Sequence, residues 1–483
     1  MTEPVESLNP ETGQRIRSFA STSPAEVQQA VARARAAQPA WAFLPFEERA
    51  ERIGAFAREV ARNAPSLTAL IKEETGKRIP DAQYEVWDHL PVSIGGSGGI
   101  DACIRDMQLL IERGANRDVS DLLPHGMPGT SAHVRWLPHG VVGMIMPWNF
   151  PLWIPIVNII PALLAGNTVV FKPSEYATLV GLEIDHMLRS AGVEPSVFQT
   201  LIGGKATGQA LANAGLDQLW LTGSLNAGMS VQSAMRMRPV EMELGGNSAA
   251  IICEDADLDL AIAGSVWGAT YNAGQSCSGI KRIFVHHKIA DAFVERAVES
   301  VRSLRAGTDY GPLIRASQRD HALHRIHDAR AQGAQVLIGG SIPSDLPDAW
   351  QSGFWLAPTV MVLPHMNIEL VREETFANVM PIFVVQDEDE AVRLANDTAF
   401  GLSNSVWSRD TLRAHQIATR LHSGMVFINE VEVALLYGEH WRGWKDSSIA
   451  GAGSKLERCF KQQLIVEYRD STPREYWYPY PNE

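Results

Sequence analysis

The chain lacks the features that would place it outside the cell or on nucleic acid. Its 483 residues include four cysteines, which lie far apart and form no C-x-x-C pair. This usage predicts a reduced, cytoplasmic protein, and the absence of a His or Cys cluster at zinc spacing predicts no bound metal. Lys and Arg number 42 against 55 Asp and Glu, so the formal net charge is −13. Such a charge repels phosphate and anionic lipid, so neither nucleic acid nor a membrane is expected as a partner.

A secretory signal is also missing from the first residues. Residues 1–20 carry several charges and no apolar core, so they do not match a signal peptide. The stretch 136–171 holds no Asp, Glu, Lys or Arg, although a membrane span needs only about 20 apolar residues. Prolines and asparagines interrupt this stretch and would burden a helix in lipid. It therefore predicts a strand, a turn, a buried helix and a second strand inside a large core.

Short β-branched segments alternate with helical stretches from Val141 onward, which is typical of a parallel sheet. The predicted strands are 141–146, 168–171, 198–202 and 218–222, and the predicted helices are 152–165, 179–190, 205–214 and 225–235. The same alternation restarts after Glu243, with strands at 249–253 and 282–286 and helices at 258–271 and 290–304. We therefore expect two α/β units, the first doubly wound and of the dinucleotide-binding type, covered by helices at 24–37 and 46–63.

Several polar residues follow predicted strands, where α/β sheets usually hold their ligands. Asn149 lies between two prolines and is placed to donate to an oxyanion, although a turn residue is the commoner role. Glu243 precedes a Gly-Gly pair, where a solvated carboxylate is the ordinary interpretation. Lys172 and Glu175 occupy a position that offers charges to ribose hydroxyls. Each of these signals is weak by itself.

One of the four cysteines lies in a run of small residues. Cys277 follows a predicted helix, so a ligand can approach its sulfur closely. A buried, inert side chain is the commoner role, and we assign it to Cys103, Cys253 and Cys459. The segment 223–228 opens a predicted helix, where free N–H groups favour a pyrophosphate. No G-x-x-x-x-G-K-[ST] sequence is present, so a P-loop enzyme is not supported.

The joint order of these motifs is more specific than any one of them. P-W-N-F-P, K-P-S-E, T-G-S-x-x-x-G, E-L-G-G and G-Q-x-C, followed by E-E-T-F, closely resemble the NAD(P)-dependent aldehyde dehydrogenase superfamily. The resemblance runs from the first helices to Phe460. It implies an α/β fold with a Rossmann-type NAD-binding domain (1–117 and 139–242, with 448–460) and an α/β catalytic domain (243–447). It also implies a small β oligomerisation element, formed by a hairpin at 118–138 and a C-terminal strand and tail at 461–483.

The resemblance implies a mechanism for these residues. Cys277 attacks an aldehyde as the thiolate, and the Asn149 amide and the Cys277 N–H hold the resulting oxyanion. Hydride passes to nicotinamide, and Glu243 then activates water to hydrolyse the thioester to the free acid. A coenzyme A-acylating relative does not rely on such a base, so Glu243 argues against that activity.

The resemblance also implies the cofactor and substrate contacts. The cofactor residues are Ile145, Met146, Trp148, Lys172, Glu175, Gly223, Ser224, Gly228, Leu244, Glu374 and Phe376. The substrate residues are Phe150, Ile154, Val157, Tyr271, Ser276, Ser278 and Trp441. The Glu175 carboxylate repels a 2′-phosphate, so NAD is expected over NADP, and Lys172 moderates that preference. The mainly apolar tunnel predicts a bulky, aromatic or long-chain aldehyde.

Two segments depart from the family pattern. Phe376 is followed by Ala377-Asn378 where Gly-Pro is common, which predicts a looser nicotinamide pocket. The loop that helps to close the substrate entrance appears only as residues 440–448, in which Arg442 either meets a substrate carboxylate or is a solvated side chain. The alternatives are therefore a semialdehyde dehydrogenase and a catalytically impaired nucleotide-binding relative. A cysteine hydrolase lacks a recognisable His partner.

The resemblance implies assembly as a homodimer or homotetramer. A strand at 464–468 fits the C-terminal strand of such an assembly. The aromatic tail at 475–481 is expected to pack against a partner subunit or another domain, because so many exposed rings are unfavourable in water.

Overall fold

The computed structural model describes residues 3–90, 98–114, 116–124, 127–432, 442–449, 456–474 and 477–478. Its helices are α1 (Pro24–Phe43), α2 (Phe46–Arg62), α3 (Ala64–Thr75), α4 (Ile79–Trp87), α5 (Gly99–Gly114), α6 (Trp153–Leu164), α7 (Thr178–Ser190), α8 (Lys205–Ala212), α9 (Leu225–Met235), α10 (Leu258–Thr270), α11 (Ala290–Arg302), α12 (Ala316–Ala331), α13 (Glu369–Arg372), α14 (Glu388–Asn396) and α15 (Thr411–Ala418).

The strands follow the same numbering along the chain. They are β1 (Val5–Leu8), β2 (Arg15–Phe19), β3 (Arg117–Asp118), β4 (Thr130–Pro138), β5 (Val141–Ile145), β6 (Thr168–Lys172), β7 (Phe198–Thr200), β8 (Gln218–Thr222), β9 (Val240–Glu243), β10 (Ser248–Ile252), β11 (Ile280–His286), β12 (Gln335–Ile338), β13 (Thr359–Val362), β14 (Val379–Val385), β15 (Phe400–Gly401), β16 (Ser403–Trp407), β17 (Met425–Ile428), β18 (Trp444–Lys445), β19 (Ser448–Ile449) and β20 (Phe460–Tyr468).

Two mainly parallel sheets form the body of the protein. Within the described residues the first has the order β19-β9-β8-β5-β6-β7, and the second has the order β12-β13-β14-β11-β10-β16-β17. In the first sheet β5 pairs in parallel with β6 on one side and with β8 on the other. Later strands are therefore added to the sheet on both sides of β5. The carboxyl ends of strands that flank such a switch point form a crevice for ligands. The α/β class predicted from the sequence is therefore confirmed, whereas the domain boundaries stay a prediction.

A third, antiparallel sheet has the order β20-β4-β3. Phe460 pairs with Pro138 at one end of the β20–β4 ladder, and Tyr468 pairs with Thr130 at the other. The strand predicted at 464–468 is confirmed and is longer than expected. Its Leu464 side chain is exposed.

The uncharged stretch 136–171 folds as the sequence predicts. It contains β5, the helix α6 and most of β6, and every residue of α6 after Trp153 is buried. Within the described ranges, no helix combines the length and the apolarity that a membrane crossing requires.

Most predicted elements lie within a few residues of the observed ones, but the end of the first helix was predicted wrongly. We expected it to stop at residue 37, and α1 continues through Pro39 to Phe43. Trp41 explains the extension, because its ring is buried and its indole N–H donates to the Leu163 carbonyl at 3.0 Å. This tertiary anchor outweighs the loss of the single hydrogen bond that proline cannot donate.

A buried ion pair joins the N-terminal helices to the start of α6. Lys77 Nζ lies 2.5 Å from Glu85 Oε2, and neither side chain is accessible to solvent by more than 1%. Glu85 Oε1 also accepts from the backbone N–H groups of Leu152 and Trp153, at 2.7 and 3.1 Å. The carboxylate thereby caps a helix end that has no capping side chain of its own.

Replacement of Lys77 by Met would leave the Glu85 charge buried without its partner. We expect Lys77→Met to lower the free energy of unfolding by about 3–5 kcal/mol. Arg15→Met is the control, since Arg15 forms an ion pair with Glu6 on the surface. Such an exposed pair contributes about 1 kcal/mol or less to the free energy of unfolding. Urea titration followed by tryptophan fluorescence measures both, and equal losses in the two variants would contradict the structural role of Glu85.

Candidate active site

A left-handed turn presents the candidate nucleophile. Asn272, Ala273 and Gly274 have φ values of 50°, 56° and 73°, and they connect α10 to the segment that carries Cys277. A Cβ atom on Gly274 would lie 2.2 Å from the Ala377 backbone, so only glycine fits there. The left-handed conformation of Asn272 and Ala273 costs free energy, so it persists only where surrounding contacts impose it.

Hydrogen bonds from three amide side chains hold this turn. Asn149, which follows β5 and is 5% exposed, donates from Nδ2 to the Gln275 carbonyl at 3.1 Å. Asn272 Nδ2 donates back to the Asn149 carbonyl at 3.0 Å. Gln275 Oε1 accepts from the Ile314 N–H at 2.8 Å. The Asn149 amide therefore lies against the turn two residues before Cys277, and its second N–H proton is the one that an oxyanion would use.

The candidate base comes from the first sheet, whose strand β5 also precedes Asn149. Glu243 ends β9, and its carbonyl accepts from the Gly223 N–H at 3.0 Å. Ser448 pairs with Glu243 across β9 and β19, and its hydroxyl lies 3.4 Å from Glu243 Oε1. The side chain faces the same cavity as Cys277.

This cavity has a volume of about 230 Å³. Six predicted substrate residues line it together with Cys277 and Glu243, namely Phe150, Ile154, Val157, Tyr271, Ser276 and Ser278. The structure thus brings these side chains to one place, although they come from α6, from the turn before it and from both sides of the nucleophile. Trp441 lies outside the described residues.

The charges around the cavity are predominantly negative. Burial, and then the charges of Glu374, Glu432 and Glu243, raise the pKa of the Cys277 thiol to about 12. Lys281 is the cation that opposes them among the described residues. Burial likewise raises the pKa of the Glu374 and Glu432 carboxyls to about 7. Burial and these carboxylates therefore disfavour the ionised form of the thiol.

A second cavity, of about 310 Å³, lies at the carboxyl ends of the first sheet. It is lined by Ile145, Lys172, Glu175 and Ser224. Lys172 Nζ donates to the carbonyls of Pro173 and Gly203, at 2.7 and 2.9 Å, and lies 3.8 Å from Glu175 Oε2.

The end of α9 beside this cavity is available for an anion. The Ser224 hydroxyl accepts from the Ala227 N–H at 3.3 Å and caps the helix, which leaves other first-turn N–H groups at its N-terminus. Gly228 lies against Leu244, because a Cβ atom there would be 2.9 Å from the leucine methyl carbons. Gly228 therefore permits close packing of α9, and Leu244 also lines the cavity that contains Cys277.

The remaining predicted cofactor residues have contacts of their own outside the lining of the second cavity. Glu374 Oε1 accepts from the Gly246 N–H at 3.1 Å. The rings of Phe376 and Trp148 lie edge to face, with centroids 5.7 Å apart. Met146 is buried, and its N–H donates to the Lys172 carbonyl at 3.1 Å.

The contacts of Ala377 and Asn378 argue against the looser pocket expected from the missing Gly-Pro turn. Both residues are buried, and Asn378 Nδ2 donates to the Leu356 carbonyl at 3.0 Å. The preceding Phe376 carbonyl accepts from Gln318 Nε2 at 3.2 Å. Side-chain hydrogen bonds thus replace the rigidity that proline would supply.

The described part of the altered entrance loop closes on the candidate base. The Ser447 hydroxyl donates to the Gly245 carbonyl at 2.7 Å and accepts from the Gly401 N–H at 2.9 Å. Arg442 is not among the residues that line the substrate cavity. The loop therefore supports the segment that carries Glu243. Arg442 does not supply a cation for the carboxylate of a semialdehyde in this cavity.

Sequence reasoning missed several residues at the site. Trp267 lines the cavity and stacks on Tyr271 with ring centroids 4.5 Å apart. Their i, i+4 spacing along α10 is the signal that would have found it. Lys281 and Glu432 carried no motif. Lys281 lies at the start of β11, just after Cys277, and only the tertiary fold brings Glu432, which follows β17, near the thiol.

Comparison with known proteins agrees with this geometry. A sequence model of the aldehyde dehydrogenase family matches residues 1–463. The 3,6-anhydro-alpha-L-galactose dehydrogenase of Streptomyces coelicolor is 35% identical, over 92% of this chain and 88% of that protein. Betaine aldehyde dehydrogenase 1 of Rhizobium meliloti is 34% identical, over 88% of this chain and 85% of that protein.

PnpE, solved with nicotinamide adenine dinucleotide, superposes with a TM-score of 0.88 at 30% identity, over 98% of this chain and 95% of PnpE. PnpE is a protein of Pseudomonas sp. WBC-3. The chain therefore belongs to the aldehyde dehydrogenase family of NAD(P)-dependent oxidoreductases.

Proposed function

We propose that the protein oxidises an aldehyde to the carboxylic acid with NAD, through a thiohemiacetal and a thioester on Cys277. The observation that carries the proposal is the shared cavity, into which the Cys277 thiol and the Glu243 carboxylate both face. Cys277 forms the new C–S bond, the Asn149 amide stabilises the oxyanion, and Glu243 removes a proton from the hydrolytic water. Hydrolysis then releases the acid and restores the thiol.

The residues of the second cavity fit NAD. The α9 N-terminus suits a pyrophosphate, and the Glu175 carboxylate suits a ribose that carries two free hydroxyls. NAD supplies the hydride acceptor when it is bound. The solved complex of PnpE with nicotinamide adenine dinucleotide supports the same assignment.

The lining of the substrate cavity supports an aldehyde with a bulky, aromatic or long-chain body. Phe150 and Tyr271 have ring centroids 6.1 Å apart, and Trp267 extends the aromatic wall. Ile154 and Val157 form the aliphatic side. Such a surface stabilises an apolar substrate by removing its carbon atoms from water.

A cationic aldehyde is the second candidate. Asp88 and Glu432 line the cavity beside the aromatic rings, and an arrangement of carboxylates and rings attracts ammonium groups. The betaine aldehyde dehydrogenase among the relatives acts on such a compound by name. The same carboxylates repel a semialdehyde, and the Arg458 guanidinium is already bonded to Asn158.

The β4–β20 sheet supports the proposal of a homodimer or homotetramer. Leu464 and Val466 are 60% and 51% exposed on β20, and the ring of Trp477 packs edge to face on Tyr468. Most of the aromatic tail lies outside the described residues.

All four cysteines are free, which supports a reducing, cytoplasmic location.

Two substitutions separate the nucleophile from the base. We expect Cys277→Ala to abolish NADH formation, because no thiohemiacetal can form. Glu243→Gln retains a first burst of NADH, and its steady-state rate falls by about 10²–10⁴ because the thioester is not hydrolysed. Stopped-flow absorbance of NADH measures both phases, with Cys253→Ala as the control for cysteine removal. Loss of the burst in Glu243→Gln would show that the carboxylate acts before hydride transfer.

A change at Glu175 tests the cofactor preference. Glu175→Gln removes the charge that repels a 2′-phosphate, so the ratio of kcat/KM for NAD over NADP is expected to fall about tenfold. Glu194→Gln, at an exposed carboxylate, should leave the ratio unchanged. An unchanged ratio in Glu175→Gln would place the selectivity elsewhere.

A change at Val157 tests the size of the substrate. Val157→Phe fills the aliphatic side of the cavity, so kcat/KM for benzaldehyde or a long-chain aldehyde is expected to fall at least tenfold relative to acetaldehyde. Val384→Phe, on the exposed face of β14, is the matched control. Measurement of betaine aldehyde in the same series tests the cationic candidate, which would be favoured if that substrate had the highest kcat/KM.

A further inference from the structure

Lys281 is a buried ammonium with no part in the mechanism described above. It lies on β11, four residues after Cys277, and is only 3% exposed. Burial lowers the pKa of this ammonium, and the charges of Glu374, Glu432 and Cys277 raise it. A lysine is retained in such a place only where other charges compensate it.

The first contact of Lys281 is with the turn that presents the nucleophile. Its Nζ donates to the Gly274 carbonyl at 2.6 Å. Gly274 is the last of the three residues with positive φ before Cys277. Lys281 therefore ties the strained turn to the strand that follows the nucleophile.

The second contact of Lys281 is electrostatic. A Cβ atom on Gly279 would lie 2.8 Å from Glu432 Oε1 and 3.1 Å from Lys281 Nζ. Both charged groups therefore border the space that a side chain at Gly279 would occupy. Glu432 Oε1 has no hydrogen-bond partner within the described part of the chain. The charge of Lys281 and a hydrogen bond from Ser276 both lower the pKa of the Glu432 carboxyl and so oppose the effect of its burial.

Lys281 also faces the cofactor side of the site. Its Nζ lies 5.5 Å from the centroid of the Phe376 ring, and it opposes the buried Glu374 carboxyl. Arg325 also acts on Glu374 but donates to its backbone carbonyl at 3.0 Å, away from the thiol. Three carboxylates from three different elements, Glu243, Glu374 and Glu432, thus act on the Cys277 thiol against one ammonium.

We propose that Lys281 is the positioning cation of the nucleophile: it anchors the turn before Cys277 and offsets part of the charge of the three carboxylates, so that the thiolate forms more readily than it would without the ammonium. This inference rests on the proposed thiol chemistry of Cys277. Lys281 itself neither gains nor loses a proton in the reaction and forms no bond to the substrate.

The test is the rate at which iodoacetamide alkylates Cys277, without aldehyde or cofactor, between pH 6.5 and 9.5. Mass spectrometry of the peptide that contains Cys277 reports this residue alone. We expect Lys281→Met to slow alkylation about tenfold at each pH, which is a shift of the profile by about one pH unit upward. Lys281→Arg should recover most of the rate, and Lys288→Met, at an exposed lysine, should match the unchanged protein.

The opposite charge change supplies an independent arm. Glu432→Gln removes one of the facing carboxylates and should speed alkylation, and the double variant Lys281→Met, Glu432→Gln should return close to the original rate. If Lys281 served only as a structural support, its loss would loosen the turn, expose the thiol and speed the reaction, and Glu432→Gln would not compensate. Either result would overturn the proposal, and Glu432→Gln decides the matter if Lys281→Met fails to fold.

The outcome is separable from the function proposed above. Alkylation needs no hydride transfer, so a protein that oxidises no aldehyde still reports the effect of Lys281 on the thiol. An alkylation rate that follows the charge changes, together with no NADH formation, would retain the role of Lys281 and overturn the proposed oxidation.

Discussion

The hydrogen bonds between Asn149, Asn272 and Gln275 are the contacts on which the site depends. Asn149 belongs to the crevice of the first sheet, and the other two belong to the turn that leads into the second. Asn149 and Asn272 each donate to a backbone carbonyl of the opposite segment, and the Gln275 amide joins the turn to the backbone N–H of Ile314. The left-handed turn is thereby imposed from outside, and Cys277 is presented just before the amino end of β11, beside the residue that follows β5 of the first sheet.

Charge is the second constraint on the site. The substrate cavity is aromatic and bordered by carboxylates, which is the basis for the apolar and cationic aldehydes proposed above. The same carboxylates make the thiolate costly, since like charges in a poorly solvated site raise the pKa of a thiol. A single buried lysine beside the turn therefore connects substrate selectivity with the reactivity of the nucleophile.

The departures from the family pattern keep the site closed by other means. Asn378 and Gln318 bond to backbone carbonyls around Phe376, and Ser447 bonds to the segment that carries Glu243. A motif can thus be lost while the position of a neighbouring side chain is kept. The physical requirement is that the backbone N–H and C=O groups of these segments have hydrogen-bond partners, and several residue types can supply them.

Periodicity along the chain predicted the order of strands and helices, because alternation of apolar segments is a local property. The order of the motifs identified the family and predicted the nucleophile and the base. Helices α3, α4, α5, α12 and α13 were not predicted, and α1 extends past Pro39 only because Trp41 is anchored to the Leu163 carbonyl. The proximity of Glu432 to Cys277, and the bond of Lys281 to the left-handed turn, were decided by the tertiary structure. Glu432 reaches the thiol from a segment that is far from Cys277 in the chain, and no local pattern encodes such a distance.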